Sequence, residues 1–299
     1  MAIPVDVFRG TSGVPLPPVV SQTVWQVTQE QSAVMRAAQP IPLPGVGVQV
    51  PIITGDPVAS WVGETNVKPL SRPSFANKTI QASTLVVLVP FSNQFRRDAT
   101  GLYQQIVQRL PLALAKKFDE TVFGPQSGAP SSNFDTLGAA TAVGIAGKTF
   151  NGLTGAETAI ATWGPQDGEL NGFVLSPTGR GVVRSAVDGF GRPLFDGPSN
   201  ELLDVPVYRS RASYLADADG AGPGTDKQLG YAGDWSKAFW GSVEGIQAAY
   251  SSEATLTDTD GTQINLFQQN MFALRVEIEV GFRVRDLGYF SKLTSAVQA

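Results

Sequence analysis

Residues Trp61–Phe75 read WVGETNVKPLSRPSF: a tryptophan and a valine lead into a dozen mostly polar residues, with prolines at Pro69 and Pro73. Soon after comes LVVLVPF, Leu85–Phe91, one of the most apolar runs in the chain. A polar, proline-marked excursion of this length is unusual inside a compact domain and is often functional. Its flanks decide its form. On one side Val46, Val48, Val50 and Ile52 alternate within VGVQVPII, a strand signature. On the other, Thr79–Phe91 is strand-like and β-branched. Residues 55–78 therefore read as the far part of a long hairpin, with Trp61 and Val62 anchoring its base and the prolines stiffening its tip by fixing φ.

Before this stretch, residues 1–20 are rich in Pro, Gly and Val without periodicity, which reads as an extended arm. Ser21–Ala38 then shows near-helical apolar spacing with Ser21 as N-cap, stopped by PIPLPG at 40–45. After it, Asp98–Phe123 carries the best helical pattern. Leu102, Ile106, Leu110, Leu114, Phe118 and Val122 recur every four residues, and Tyr103 and Val107 widen the stripe. Asp98 is placed to cap its start and Gly124 to end it. Such a helix is about 38 Å long. Pro111 inside it predicts a kink or break near Arg109–Leu110.

The middle of the chain alternates short elements. Thr154 and Glu157 form a capping box before TAIATW. GFVLSP (172–177) is a short strand, and Ser176-Pro177 starts a helix through Val187. GFGRPLF (189–195) is a turn, VPVYRS (205–210) a strand, 229–254 strand-like with turns, and TDTDGTQ (257–263) a polar hairpin tip. The end is the clearest pattern. Phe272, Leu274, Val276, Ile278, Val280, Phe282 and Val284 alternate with Ala273, Arg275, Glu277, Glu279, Gly281, Arg283 and Arg285. That strict period of two predicts a half-buried strand roughly 43 Å long.

Composition narrows the function classes. The 299 residues are 42% hydrophobic and 16% charged, with net charge −4, so a core is expected and a basic face for gripping nucleic acid is not. There is no cysteine, which removes disulfides, thiolate metal sites and cysteine nucleophiles. There is no histidine either, which removes the commonest general base and zinc ligand and lowers the expectation of catalysis. MAIPVDVFRG does not read as a signal peptide, and no apolar run approaches the ~20 residues that span a membrane.

Three constellations carry residue types suited to chemistry. Glu277 and Glu279 share one strand face and resemble a glycosidase pair, but Arg275, Arg283 and Arg285 on that face favour a charge-alternating outer surface. Asp258 and Asp260 in TDTDG resemble the start of a calcium loop that lacks its closing glutamate, so a polar turn is expected. TGRGVVR (178–184) follows a strand as a phosphate cradle would, yet has neither glycine-loop spacing. Trp25, Trp61, Trp163, Trp235 and Trp240 are read as core or interface anchors. No cofactor and no metal site is expected.

The order of these features resembles tailed-bacteriophage major capsid proteins of the HK97 fold. The matching motifs are WVGE with Pro69, Ser74 and Phe75; SNQFRRD (92–98) running into a helix that ends LALAKKFDETVFG (112–124); FVLSP, FGRPLF and a Pro-Val strand; and GDWSKAFWG followed by NMFALRVEIEVGFRVRD and YFSKL. Asp204 departs from the family, which often has glycine before Val205-Pro206-Val207. The resemblance implies an α+β fold with an N-terminal arm (1–50), an extended E-loop hairpin (51–92) and a P-domain with a long spine helix (93–148). An A-domain (149–262) follows, then a P-domain return strand with the C-terminus (263–299). It implies a structural, non-enzymatic subunit that self-assembles into hexamers and pentamers of an icosahedral head around double-stranded DNA. Assembly would take place in the host cytoplasm, with no membrane involved. Its partners would be other copies of itself, a portal, a separate scaffolding protein, DNA in weak non-specific contact and, as an option, a decoration protein. Trp61, Glu64, Lys68, Arg72 and Phe75 would touch the neighbouring subunit. An encapsulin-type nanocompartment shell shares the fold and is the alternative; a carbohydrate-active enzyme or lectin using Glu277 and Glu279 is the distant one.

Some members of that family weld the shell by an isopeptide bond between an E-loop lysine and a neighbour's asparagine, aided by a glutamate. Asn270 and Glu277 match the acceptor side in type and spacing, and Lys78 or Lys68 would supply the amine. Lys78 lies one position off, which reverses side-chain direction in an extended strand. The competing reading is an ordinary strand-start Asn270 and a solvated Lys78.

Overall fold

The computed structural model describes residues 32–145 except 46, 56–58, 65, 73 and 99; 168–187, 190 and 192; 201–216 except 203; and 226–296 except 259. The arm expected over 1–20, residues 21–31 of the helix expected over Ser21–Ala38, the Thr154 capping box, most of the GFGRPLF turn, Trp25 and Trp163 lie outside the described residues. In the described part of that stretch the helix is Ala33–Ala37, and its N-cap is Ser32 rather than Ser21, Ser32 Oγ accepting from Met35 N.

The spine is a strand backed by a helix. Helix α3 (Thr100–Phe123) follows α1 (Ala33–Ala37) and α2 (Asn93–Asp98). Its stripe faces inward: Leu110, Leu114, Phe118 and Val122 are all buried. The residue before Thr100 lies outside the described residues, and Asp98 is the last residue of α2. Its carboxylate accepts from Arg97 at 2.7 Å. Pro111 does not break the helix, which runs unbroken across it. A proline inside a helix costs about 3 kcal/mol, while each fully buried Leu, Val or Phe contributes about 1.5–3 kcal/mol. Four such residues on one stripe outweigh the lost backbone bond.

The stripe packs on a four-stranded sheet in the order β1 (Gln39–Pro40), β10 (Ala238–Ser251), β13 (Met271–Val284), β4 (Ser83–Ser92). β13 is antiparallel to both of its neighbours. Its seven alternating apolar residues from Phe272 to Val284 are all buried. Phe272 lies 5.9 Å from Tyr103, and Phe282 lies 6.4 Å from Phe118, centroid to centroid, so both ends of the strand engage the helix. On the other face Arg275 and Glu279 are exposed, while Ala273 is buried and Gly281 is closely approached. A Cβ at Gly281 would meet the Gln81 carbonyl at 2.8 Å.

A second sheet has the order β5 (Thr141–Gly144), β14 (Phe290–Thr294), β9 (Gln228–Gly233), β6 (Gly172–Leu175), β8 (Val205–Arg209), β7 (Glu201–Leu202). Helix α4 (Pro177–Arg184) covers it, capped by Ser176 and ending three residues before the expected Val187. Of the two glycines of TGRGVVR, Gly181 faces open space and Gly179 is structural: a Cβ at Gly179 would meet the Leu229 carbonyl at 2.4 Å, so glycine permits the helix to lie on β9. TDTDGTQ forms the tip between β11 (Thr255–Thr257) and β12 (Gln263–Asn265), as expected. The sheets interleave along the chain. β10, within the 149–262 segment, is central to the first sheet; β5 and β14, outside that segment, are strands of the second.

One carboxylate joins these parts. Asp119 of α3 is 2% exposed. It accepts from Ser32 Oγ at 2.6 Å, Ala33 N at 3.0 Å, Val34 N at 3.4 Å and Ser210 Oγ at 3.0 Å. Helix α3 is thereby tied to the start of α1 and the end of β8. Burial pushes this carboxyl above the usual aspartate range, and the four donors pull against it. Asp119→Asn presents an amide to these donors and is expected to cost the isolated subunit about 3 kcal/mol, read from urea unfolding. Because the folded-state pKa is raised, this group's contribution to stability is fullest below the ordinary aspartate range and falls as pH rises through the raised value. The wild-type advantage over Asp119→Asn therefore shrinks with rising pH across that window.

Candidate functional site

The stretch Trp61–Phe75 sits at the far end of a two-stranded ribbon. Strand β2 (Val48–Gly55) pairs antiparallel with β3 (Ser74–Ile80), from Val48 opposite Ile80 at the root to Gly55 opposite Ser74. The hairpin is real, but its descending arm is shorter than expected. Thr79–Phe91 divides into β3, which returns along β2, and β4, which leaves the ribbon to pair with β13. The change of partner falls at Gln81–Ala82, where the buried Ile80 holds the root against the sheet.

Root and tip differ in chemistry. At the root, Lys78 Nζ donates to the Val284 carbonyl at 3.0 Å and stands 4.0 Å from Asp135. Asp135 also accepts from Arg283 at 3.0 Å and from Val284 N at 3.1 Å. Among the tip residues, Trp61 is 106% exposed, Val67 93% and Leu70 78%, and Glu64, Lys68 and Arg72 are exposed as well. Trp61 thus anchors nothing in its own subunit, contrary to the expectation that it holds the hairpin base; Val62 is half-buried. Phe75 stands in β3 at the register position opposite Ile53.

The residues considered for a covalent bond are not brought together within one subunit. Lys78 touches Val284 at one end of β13, and Asn270 precedes Met271 at the other. Lys78 is not the solvated side chain of the competing reading, nor is Asn270 an ordinary strand-start residue. Asn270 has φ +52° and accepts from Asn93 Nδ2 at 2.9 Å, closing the turn where β13 meets α2. Glu277 lies midway, 3.1 Å from Arg275, opposite Val86 and Gln247. Lys68 is exposed on the tip. Glu277 and Glu279 lie on the sheet face shared with Arg275, which is the charge-alternating surface expected. Among the described residues no group of three or more acidic side chains is placed to hold a metal ion. Trp235 and Trp240 are buried core residues.

Asp119 and Asp135 escaped the sequence reading, because one acid on a helix or in a loop has no periodicity to betray it. Asp204 is explained by its backbone. It has φ +62°, a left-handed conformation that glycine adopts without strain and aspartate tolerates.

With this geometry in view, comparison with known proteins is direct. Residues 12–295 match the phage capsid family. The chain belongs to that family. A relative named probable major capsid protein gp17, from Mycobacterium phage L5, is 27% identical and aligns over 94% of this chain and 89% of its own length. A solved structure from Gordonia phage Cozz superposes with a TM-score of 0.70 at 22% identity, covering 90% of this chain and 87% of that one. The capsid of an empty GTA particle superposes with a TM-score of 0.61 at 16% identity, over 89% of this chain and 90% of that one. The fold of this family member is accordingly the α+β, HK97-like capsid fold.

The root cluster fastens the hairpin to the end of β13. Asp135→Ala removes one acceptor of Arg283, which keeps the Ser132 carbonyl, and the side-chain acceptor of the Val284 amide. The subunit is expected to lose about 2 kcal/mol, and amide exchange should speed up at Lys78–Ile80. Unchanged exchange there would show that Asp135 does not hold the root.

Proposed function

We propose that this chain is the structural major capsid subunit of a phage head, assembling through hexamers and pentamers into an icosahedral shell around double-stranded DNA. The observation that carries the proposal is the β2–β3 ribbon with its exposed Trp61, Val67 and Leu70. A lone subunit gains nothing by holding these side chains in water; a neighbour that covers them gains apolar burial. A projecting donor and a separate acceptor surface on each copy make heterologous contacts, which close rings. In this reading the ribbon and its tip are the E-loop. The sheet of β4, β10 and β13 with α3 is the P-domain, and the six-stranded sheet with α4 is the A-domain. The residues ahead of β2 form the arm. Trp61, Glu64, Lys68, Arg72 and Phe75 meet the neighbouring subunit. A portal, a separate scaffold and weakly held DNA complete the partners, with a decoration protein as an option. The subunit works as a wall and not as an enzyme.

The shell is proposed to be held without covalent bonds. Lys78, nearer the expected register, has its ammonium engaged with Val284 and Asp135 of its own subunit, and Glu277 is paired with Arg275. An attacking amine at Lys78 would first have to leave both partners. Denaturing electrophoresis of mature shells is expected to give a single band near 31.6 kDa; a ladder that disappears in Asn270→Ala would establish the crosslink instead.

Deleting Glu64–Ser74 is expected to leave a folded subunit that does not assemble. Negative-stain microscopy reads the result. Normal particles from the deletion would sink the hairpin reading, and closed particles loaded with a protein cargo would favour a nanocompartment.

A further inference from the structure

Between α3, the loop at 128–134 and the start of β4 lies a cavity of about 170 Å³, beside the root of the hairpin. Leu85, Phe118, Pro130, Phe134 and Val280 give it apolar walls, and Lys117 stands at its edge. It lies where β4 begins, immediately after the ribbon returns. The fully exposed Trp61 belongs to the opposite end, beyond a β2 of eight residues, a span of about 26 Å. Each copy therefore carries one large unburied aromatic ring at the tip of a ribbon and one apolar recess at its base.

We infer that the recess is the seat of Trp61 from a second copy of this chain, with Glu64 of that copy meeting Lys117. The inference rests on the assembly reading above and names the contact that reading leaves open. Chemistry favours this occupant. The recess is lined mainly by carbon, and an indole brings the largest apolar surface of any side chain. Glu64 is exposed three positions after Trp61, and Lys117 is exposed at the recess. An acid and a base are thus placed to pair around an apolar centre, the usual anatomy of an interface hot spot. Donor and acceptor are different surfaces, so every seated copy still offers its own ring and its own recess. Such a contact propagates head to tail around a ring.

The chain has no cysteine, so an engineered disulfide reports the contact without background. Ser60→Cys places a thiol next to Trp61, and Thr84→Cys places one on the recess lining, both at exposed positions. Assembled under oxidising conditions, the double variant is expected to run on a non-reducing gel as multiples of 31.6 kDa that collapse on reduction. Ser60→Cys with Glu253→Cys, exposed on the turn after β10, is expected to remain monomeric on the gel. Trp61→Ala, whose side chain is fully exposed, is expected to keep the wild-type circular dichroism and urea midpoint while its assembled fraction falls at least ten-fold. Lys117→Glu should weaken assembly, and combining it with Glu64→Lys should restore it. Particles that form normally from Trp61→Ala, or that form from Ser60→Cys/Thr84→Cys without intersubunit disulfides, would overturn this seat while leaving the shell reading intact. Wild-type protein that stays monomeric under every assembly condition would overturn both.

Discussion

The inner face of β13 lies along helix α3, with Phe272 against Tyr103 at one end and Phe282 against Phe118 at the other. Seven buried apolar residues on the strand meet four on the helix stripe. This contact is long, continuous and non-polar, so bending it would open the core along its length. Everything else is attached to that beam. β10 and β4 flank the strand, the six-stranded sheet meets the helix at its C-terminal end, and the hairpin leaves from the edge strand. At that helix end, the Tyr231 hydroxyl donates to the Phe123 carbonyl at 2.9 Å and its ring stacks on Phe123. The result is a stiff frame on which the other elements are mounted.

Polar joints decide how the attached parts are aimed. Asp119 ties α3 to the start of α1 and the end of β8, and Asp135 ties the hairpin root to the end of β13. Both are single carboxylates satisfied by several donors. A hydrophobic contact of the same area would hold these elements but would let them slide, because burial is non-directional. Hydrogen bonds to a buried carboxylate have fixed geometry and are costly to leave unmade. Apolar packing thus makes the subunit stable, and a few polar joints set the angles between its elements.

Much was legible in the chain itself. The strand over Phe272–Val284, the helix ending at Phe123, the hairpin and the TDTDG tip all follow from periodicity and turn chemistry, which are local properties. Other features were not. Thr79–Phe91 looked like one descending arm because both of its halves are β-branched; pairing with different partners divides it. Pro111 predicted a break, and the buried stripe of α3 carried the helix through it. Trp61 looked like an anchor, yet is fully exposed, because whether an aromatic ring is buried depends on what surrounds it and not on its type.

By itself, the sequence determined the lengths and faces of the main elements and the absence of thiol and imidazole chemistry, because these depend on residue type and spacing. The fold decided which strands pair, which acids become joints and which apolar side chains are left in water. Those depend on contacts between residues far apart in the chain: Asp119 with Ser32 and Ser210, Lys78 with Val284, and Gly179 with Leu229. No local pattern records such contacts, since each partner alone is an ordinary residue and acquires its role only when the chain brings the other beside it.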